Sequence, residues 1–452
     1  MMTVQEFAER CGGTVVGVDG SKAISGFATD SREAAPGALF LCIKGENVDG
    51  HDFATQAIGQ GAVACVSEKE IGLPSIVVPK LVDALAKFAN SKREEFSGPV
   101  IGVTGSTGKT TTKEFIAIAL SPLGSILKNP GNRNSEYTSP LVWADLDGAH
   151  KAVVIEMGMR GHGQIAHLAS FTKPTIGVVT HIGTAHIEKV GSREGIVRAK
   201  SELLQSLPSE GTAVLWQEDD YLVDLKANSP CAVKTFGFSP DADCRVLGYR
   251  SLGWDKCIVR GELEGTAFEA HLPTTGKHQA LNATCAVLTA HIAGVDIEAA
   301  SESLAGAELP PLRLQVVPYR GATVVLDTYN ASPDSTVAAI KTLSEVPASG
   351  RKLAVLGEMK ELGDFTESGH RAVGRALAES SIERALLTGG PTRYIALEAK
   401  ARGFSAEKLS ECEALDLEEV RRFLEAIQEG DVVLVKGSRA LGLEKALEVT
   451  AK

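Results

Sequence analysis

Lys109 and Thr110 close a glycine-rich turn in the stretch 103–114, VTGSTGKTTTKE, and a lysine followed by a hydroxyl at such a turn is suited to handling phosphate. The run Pro99-Val100-Ile101-Gly102-Val103 reads as a short buried strand, and 115–120, FIAIAL, as the apolar part of a helix. Strand, turn and helix in that order form a phosphate cradle. Gly105 and Gly108 let the backbone curl, so that N–H groups around Ser106, Thr107 and Thr111 face one anion, and the helix N-terminus adds partial positive charge. Lys109 would reach the β- and γ-phosphates of a nucleotide, and the Thr110 hydroxyl would hold Mg²⁺. The general pattern GxxxxGK[ST] asks for glycine at 103, where this chain has Val103.

Acids and imidazoles at strand tips add to this. Residues 152–155, AVVI, read as a buried strand ending in Glu156, and an acid at the C-terminal tip of such a strand sits where open α/β sheets bind ligands. Beside a P-loop, its usual service is to Mg²⁺. The strand 175–180, TIGVVT, leads to His186 and Glu188, and imidazole and carboxylate are both metal ligands. The loop 128–136, KNPGNRNSE, concentrates amides that bind a polar ligand or simply make a turn. Ser31 and Arg32, with Lys44 in KGENVDGHDF (44–53), offer contacts to an anion; a solvated surface turn is the alternative. Lys200, in the helical stretch AKSELL, reads from composition as a solvated lysine. Asn282 interrupts an apolar stretch and calls for a specific partner.

The elements that must position these groups fill 452 residues, enough for about three domains. Hydrophobic content of 44% and charged content of 23% fit a soluble globular chain. No apolar run approaches the roughly 18 residues of a membrane span, and the acidic, apolar-poor start MMTVQEFAERCGG is not a signal peptide, so a cytoplasmic protein is expected. Eight cysteines lie singly, without a CxxC pair, which speaks against a zinc ribbon or a disulfide framework. A net charge of −11 speaks against non-specific nucleic-acid binding, while local basic clusters remain free to hold small anions.

The polar stretch 91–99, ending in Gly-Pro, and the double proline at 310–311 mark boundaries. Three α/β domains are expected: a small N-terminal one over 1–97, a central P-loop domain over 98–312, and a C-terminal Rossmann-like domain over 313–452. Residues 231–275 alternate apolar and polar side chains between glycine turns and predict a small antiparallel sheet added to the parallel central one. In the last domain, strands at 323–326, 352–356, 384–388 and 431–435 alternate with helices, and Ser332-Pro333 marks a helix start. No GxGxxG follows its first strand, so no dinucleotide site is read there.

Taken together, DSR with KGENVDGHDF, TGSTGKTTTKE, GNRNSE, EMG, THIGTAHIE with AKSELL, GKHQALNA, DTYNASPDS, VLGEMKELG and VKGSR resemble the motifs of the Mur ligases, over nearly the whole chain. The last three are similar to the branch of that family that adds a dipeptide. The resemblance implies an N-terminal domain for a UDP-muramoyl peptide, a central ATPase and a closing C-terminal domain. It implies ATP-driven joining of D-alanyl-D-alanine to UDP-N-acetylmuramoyl-tripeptide through an acyl phosphate, by a monomer acting in cytoplasmic peptidoglycan precursor synthesis. By resemblance, Lys109, Glu156, His186 and Lys200 are catalytic. Thr110 and Glu156 ligate one Mg²⁺, His186 a second, and Lys200 carries a carbamate formed with CO₂ that supports a metal. Asn282, Tyr329 and Asn330 surround the adenine and ribose, and Arg313 approaches the phosphates. Ser31, Arg32, Lys44 and Asp49 belong to the UDP side, Asn132, Asn134 and Thr184 line the muramoyl-peptide path, and Arg439 of VKGSR joins the substrate contacts. Two departures stand out: the family commonly has glycine where this chain has Leu312, and asparagine where it has His181. The alternatives are a related ligase with another amine, a P-loop switch that binds partners, and a non-catalytic binding protein that dispenses with Lys109.

Overall fold

A computed structural model describes residues 2–45 and 48–448. Glu46 and Asn47 of the 44–53 motif lie outside the described residues. Three sheets organise the chain. The first has five strands in the order Thr14–Val16, Ser75–Val77, Ala64–Ser67, Ala38–Leu41 and Gly26–Ala28, parallel except for the first pair. Thr3 caps the opening helix Val4–Cys11 with a full capping box, and Phe7 packs on Phe27 and Phe88.

The central sheet has nine strands. Its parallel part places Val100–Thr104 between His150–Glu156 and Ile176–Val179, with Ser125–Lys128 at one edge. All-apolar runs such as 152–155 belong in the middle of a sheet covered on both faces, and they are fully buried here. The antiparallel pairing expected over 231–275 holds among its last three strands, but these extend the central sheet rather than form one of their own, and the first strand is parallel. Ala232–Gly237 pairs parallel with Thr212–Trp216, and the antiparallel strands Cys244–Ser251, Cys257–Leu263 and Thr266–Leu272 continue the same sheet. Alternation shows one-sided burial, and it does not show strand direction.

The third sheet has six strands: Gln315–Tyr319, Ala322–Asp327, Val432–Lys436, Lys352–Gly357, Arg384–Thr388 and Leu409–Cys412. Only the first pairs antiparallel. That edge strand was not anticipated because it carries Pro318, which an edge tolerates and a central strand does not. The helix Pro333–Glu345 begins at Ser332, as the Ser-Pro pair predicts.

All eight cysteines are free; six are buried, and Cys231 and Cys412 are partly exposed. Among the described residues no helix is long and apolar enough to cross a membrane.

Candidate active site

Three adjacent parallel strands end at one edge, and the turns that follow them build the site. After Val100–Thr104 comes the phosphate loop, at the tip of His150–Glu156 stands Glu156, and after Ile176–Val179 come Thr180 and His181. The loop is tied to its neighbour: Ser106 N–H donates to the His181 carbonyl (2.8 Å), and the Thr180 hydroxyl donates to the Thr107 carbonyl (2.6 Å). Gly105 has φ +150°, and a Cβ there would lie 1.9 Å from Thr180 Oγ1, so only glycine fits. Lys109 heads the helix Lys109–Ala119 and folds back to donate to the Gly105 carbonyl at 2.8 Å and to that of Ser106 at 3.4 Å. Enclosure lowers the Lys109 pKa; nearby Glu156 opposes this and Arg313 adds to it.

Glu156 is 1% exposed. Its backbone is clamped by Asn129, whose Oδ1 accepts from Glu156 N–H (2.9 Å) and whose Nδ2 donates to the Glu156 carbonyl (3.1 Å). Asn134 Nδ2 donates to Oε1 at 2.6 Å, while Oε2 is buried with no hydrogen-bond partner. A buried carboxylate oxygen without a donor fits a cation better than it fits solitude. Among the described residues no three His, Cys, Asp or Glu side chains form a ready-made metal cage. Mg²⁺ takes much of its shell from phosphate and water, so Glu156 with the Thr110 hydroxyl fits that ion in the presence of a nucleotide.

Lys200 lies on the helix Arg193–Gln205 and is 1% exposed, so the reading of a solvated lysine is wrong. It falls on the apolar stripe of Ile196, Ala199, Leu203 and Leu204, a helical spacing that was legible in the sequence. Among the described residues no carboxylate pairs with it, and burial, with Lys109 nearby, holds its pKa well below the ordinary lysine range. His186 takes part in the cavity wall, as do Asn132, Asn134, Asn282, Tyr329 and Asn330. Asn282 has the partner its setting demanded: Oδ1 accepts from the Thr112 hydroxyl at 3.1 Å, beside the phosphate loop.

Arg313 reaches from the linker to the phosphate loop. Its Nη2 donates to Thr110 Oγ1 at 2.9 Å, and its guanidinium stacks 4.3 Å above the Tyr329 ring. Leu312 has φ 63° and Leu314 φ 50°, both left-handed. The family's usual glycine therefore meets a conformational demand that Leu312 also meets, under strain, while packing against the C-terminal core. We expect Leu312→Gly to be more stable than Leu312→Ala by about 1 kcal/mol, reversing the ordinary order of these residues. Urea unfolding midpoints of the two variants check this.

A cavity of about 930 Å³ is lined from all three domains, by the phosphate loop, Asn132, Asn134, Glu156, Arg313 and Tyr329 and by Thr29 and Glu33. The remaining sequence-picked residues lie off its wall. Ser31 is buried and donates to Gln56, and Arg32 pairs with Asp30 at 2.5 Å. Lys44 and Asp49 form a backbone β-bridge across their loop, and Arg439 pairs with Glu444. Thr184 is held by Asp334 across a domain boundary, through its N–H at 3.1 Å and its hydroxyl at 3.3 Å.

Sequence reasoning missed Lys113, Asp327 and Lys436. Fully buried Lys113, one turn beyond Lys109, donates to the carbonyls of Asn129 (2.6 Å) and Gly131 (3.1 Å) and ties the amide-rich loop to the phosphate helix. Its place in GKTTTKE was the available signal. Lys436 pairs with Asp327 at 2.5 Å and donates to the Asn330 carbonyl. That pair joins adjacent strands remote in sequence, and no local pattern announces it.

A P-loop whose cavity is completed by two further α/β domains is the arrangement of a nucleotide-dependent ligase. The chain belongs to the Mur ligase family. Residues 23–93 match the model described as "Mur ligase family, catalytic domain", 103–290 "Mur ligase middle domain", and 312–439 "Mur ligase, glutamate ligase domain". The chain is 35% identical, over 98% of its length and 95% of the relative's, to UDP-N-acetylmuramoyl-tripeptide–D-alanyl-D-alanine ligase of Synechocystis. Its fold matches MurF of Acinetobacter baumannii with a TM-score of 0.87 at 29% identity, covering 99% of this chain and 98% of that one. It also matches the Thermotoga maritima MurF ligase in complex with ADP, with a TM-score of 0.80 at 31% identity, covering 94% and 96%.

Proposed function

We propose that this chain joins D-alanyl-D-alanine to UDP-N-acetylmuramoyl-tripeptide at the expense of ATP, giving UDP-N-acetylmuramoyl-pentapeptide, ADP and phosphate in cytoplasmic peptidoglycan precursor synthesis. The observation that carries it is the phosphate loop, Glu156 and the amide-rich loop facing one cavity, in a chain aligned almost end to end with a ligase of that name.

A carboxylate resists attack by an amine until one of its oxygens becomes a leaving group. The tripeptide carboxylate oxygen attacks the γ-phosphorus and ADP departs. The dipeptide amine then attacks the acyl carbon, phosphate leaves with that carboxylate oxygen, and the nitrogen loses a proton. Lys109 exchanges its two loop carbonyls for phosphate oxygens and balances their growing charge. Arg313, steadied on Tyr329, brings a second cation to the same end of the nucleotide. Asn132 and Asn134 orient the muramoyl peptide, and the UDP moiety belongs to the N-terminal domain, with Ser31, Arg32, Lys44 and Asp49. Thr110 and Glu156 would hold one Mg²⁺ and His186 a second, each supplying charge neutralisation on the phosphoryl oxygens. We read the active form as a monomer.

Burial favours the neutral form of the Lys200 amine, the form that is nucleophilic toward CO₂, and a carbamate there would supply an anion able to support metal. Under ¹³CO₂ the protein is expected to show a carbamate carbon resonance that Lys200→Met lacks, with kcat lowered roughly 10–100-fold in the variant.

Phosphate release from ATP with UDP-muramoyl tripeptide, with and without D-alanyl-D-alanine, tests the function. Release that requires the dipeptide and yields the pentapeptide by mass supports it. Dipeptide-independent release would indicate a switch-type NTPase, and release only with another amine would sink the substrate assignment.

A further inference from the structure

Two strained residues meet across the boundary between the middle and C-terminal domains. His186 heads the short helix Ile187–Val190 with φ 62° and ψ 20°. Glu361 lies beyond the strand Lys352–Gly357 of the third sheet, with φ 63°. Left-handed backbone at residues with a Cβ persists only where the surroundings hold it, and such outliers gather at functional sites. Here each outlier presents its side chain to the other: His186 Nδ1 lies 2.6 Å from Glu361 Oε2. The pair does not meet hydrogen-bond geometry, and Nδ1 is buried without a hydrogen-bond partner. A proton on Nδ1 would give this buried nitrogen the carboxylate as its acceptor and leave the lone pair on Nε2.

Both sides of the contact are anchored. Met359 N–H donates to His370 Nε2 (3.1 Å) and Lys360 N–H to the Ser438 hydroxyl (2.9 Å), which fixes the loop that carries Glu361. Two residues before His186, Thr184 is gripped by Asp334 of the C-terminal domain. Two residues after it, Glu188 packs on Gly363, where an added Cβ would lie 3.1 Å from Glu188 Cγ. The segment 184–188 therefore takes its shape from the C-terminal domain, while His186 itself lines the cavity.

We propose that Glu361 is a positioning residue for His186: the C-terminal domain's carboxylate fixes the imidazole as the Nδ1–H tautomer and leaves Nε2 as the ligating atom, so that His186 becomes a competent ligand only when that domain is docked. A carboxylate on the far nitrogen of a ligating imidazole orients the ring and raises its basicity. The proposal rests on the reading of His186 as a metal ligand given above. The Glu361 side chain is 47% exposed and outside the core, so substituting it leaves the core intact.

The test uses the full-length, ligand-free protein labelled with ¹⁵N-histidine, at a pH where imidazoles are neutral, with His186→Gln to assign the signal. Long-range ¹H–¹⁵N spectra are expected to show His186 as Nδ1–H. Glu361→Ala should shift it toward Nε2–H, and Glu361→Gln, whose amide oxygen still accepts, should retain the original pattern. A wild-type Nε2–H pattern, or one unmoved by Glu361→Ala, overturns the proposal. Mn²⁺ affinity of the ADP-loaded protein, read by electron paramagnetic resonance, separates the two layers. Both His186→Gln and Glu361→Ala should lower it about 10–100-fold. Loss with His186→Gln alone overturns the role of Glu361, and no loss with His186→Gln overturns the ligand reading on which it rests.

Discussion

Lys109→Met should lower kcat by roughly 10³-fold, about 4 kcal/mol of transition-state stabilisation, while KM for the UDP-muramoyl peptide stays nearly unchanged. The side chain points back along its own loop, and its two contacts to the Gly105 and Ser106 carbonyls mark where its charge is delivered when phosphate takes their place. Methionine keeps the length and the packing and removes only the cation. The lost loop contacts are worth about 1 kcal/mol at most, and relief of an enclosed charge offsets them, so thermal stability should hold. Steady-state phosphate release reads the effect. A fall in kcat below tenfold would show that Lys109 does not meet the transferring phosphoryl group, and would favour the non-catalytic alternative.

Glu156→Gln should separate activity from stability. The glutamine oxygen can accept from Asn134 as Oε1 does, and the strand-tip clamp by Asn129 involves only the backbone of residue 156. What disappears is the charge on the buried oxygen that lacks a donor. We expect kcat to fall roughly 10²–10³-fold and the Mg²⁺ activation curve to move to higher concentration. Folding stability should be unchanged or rise by up to about 1 kcal/mol, because a desolvated carboxylate without full compensation has been removed. Activity assays across Mg²⁺ concentrations and urea unfolding of the ligand-free protein check the two halves. A clear loss of stability would mean that the carboxylate serves the fold.

The groups that were legible in the sequence are those set by local chain geometry. A strand, two glycines and a lysine place a phosphate loop without help from distant residues, and Glu156 and His186 follow from the ends of neighbouring apolar strands. Asn282 announced a partner by interrupting an apolar helix face. Lys200 carried a readable signal in its helical spacing that composition alone concealed. What escaped were pairings between residues far apart in sequence: Lys436 with Asp327, Thr184 with Asp334, His186 with Glu361. Each depends on how separate elements are juxtaposed, and single side chains carry no mark of that. The parallel direction of the strand Ala232–Gly237 escaped for a related reason, since alternation records which face is buried and not which neighbour is paired.

The cysteine distribution has a practical use. Six thiols are sealed in the interior, and the two that are partly exposed fall one on the central sheet's flank, at Cys231, and one at the edge of the third sheet, at Cys412. Partial burial raises the pKa of both, with Asp416 and Glu419 adding to the effect at Cys412, so alkylation would proceed best in mildly alkaline buffer. A donor and acceptor dye attached there would form a spectroscopic ruler spanning the linker that holds left-handed Leu312 and Leu314. The unaltered chain could then report, by energy transfer, whether its two larger domains change separation when nucleotide and peptide are added.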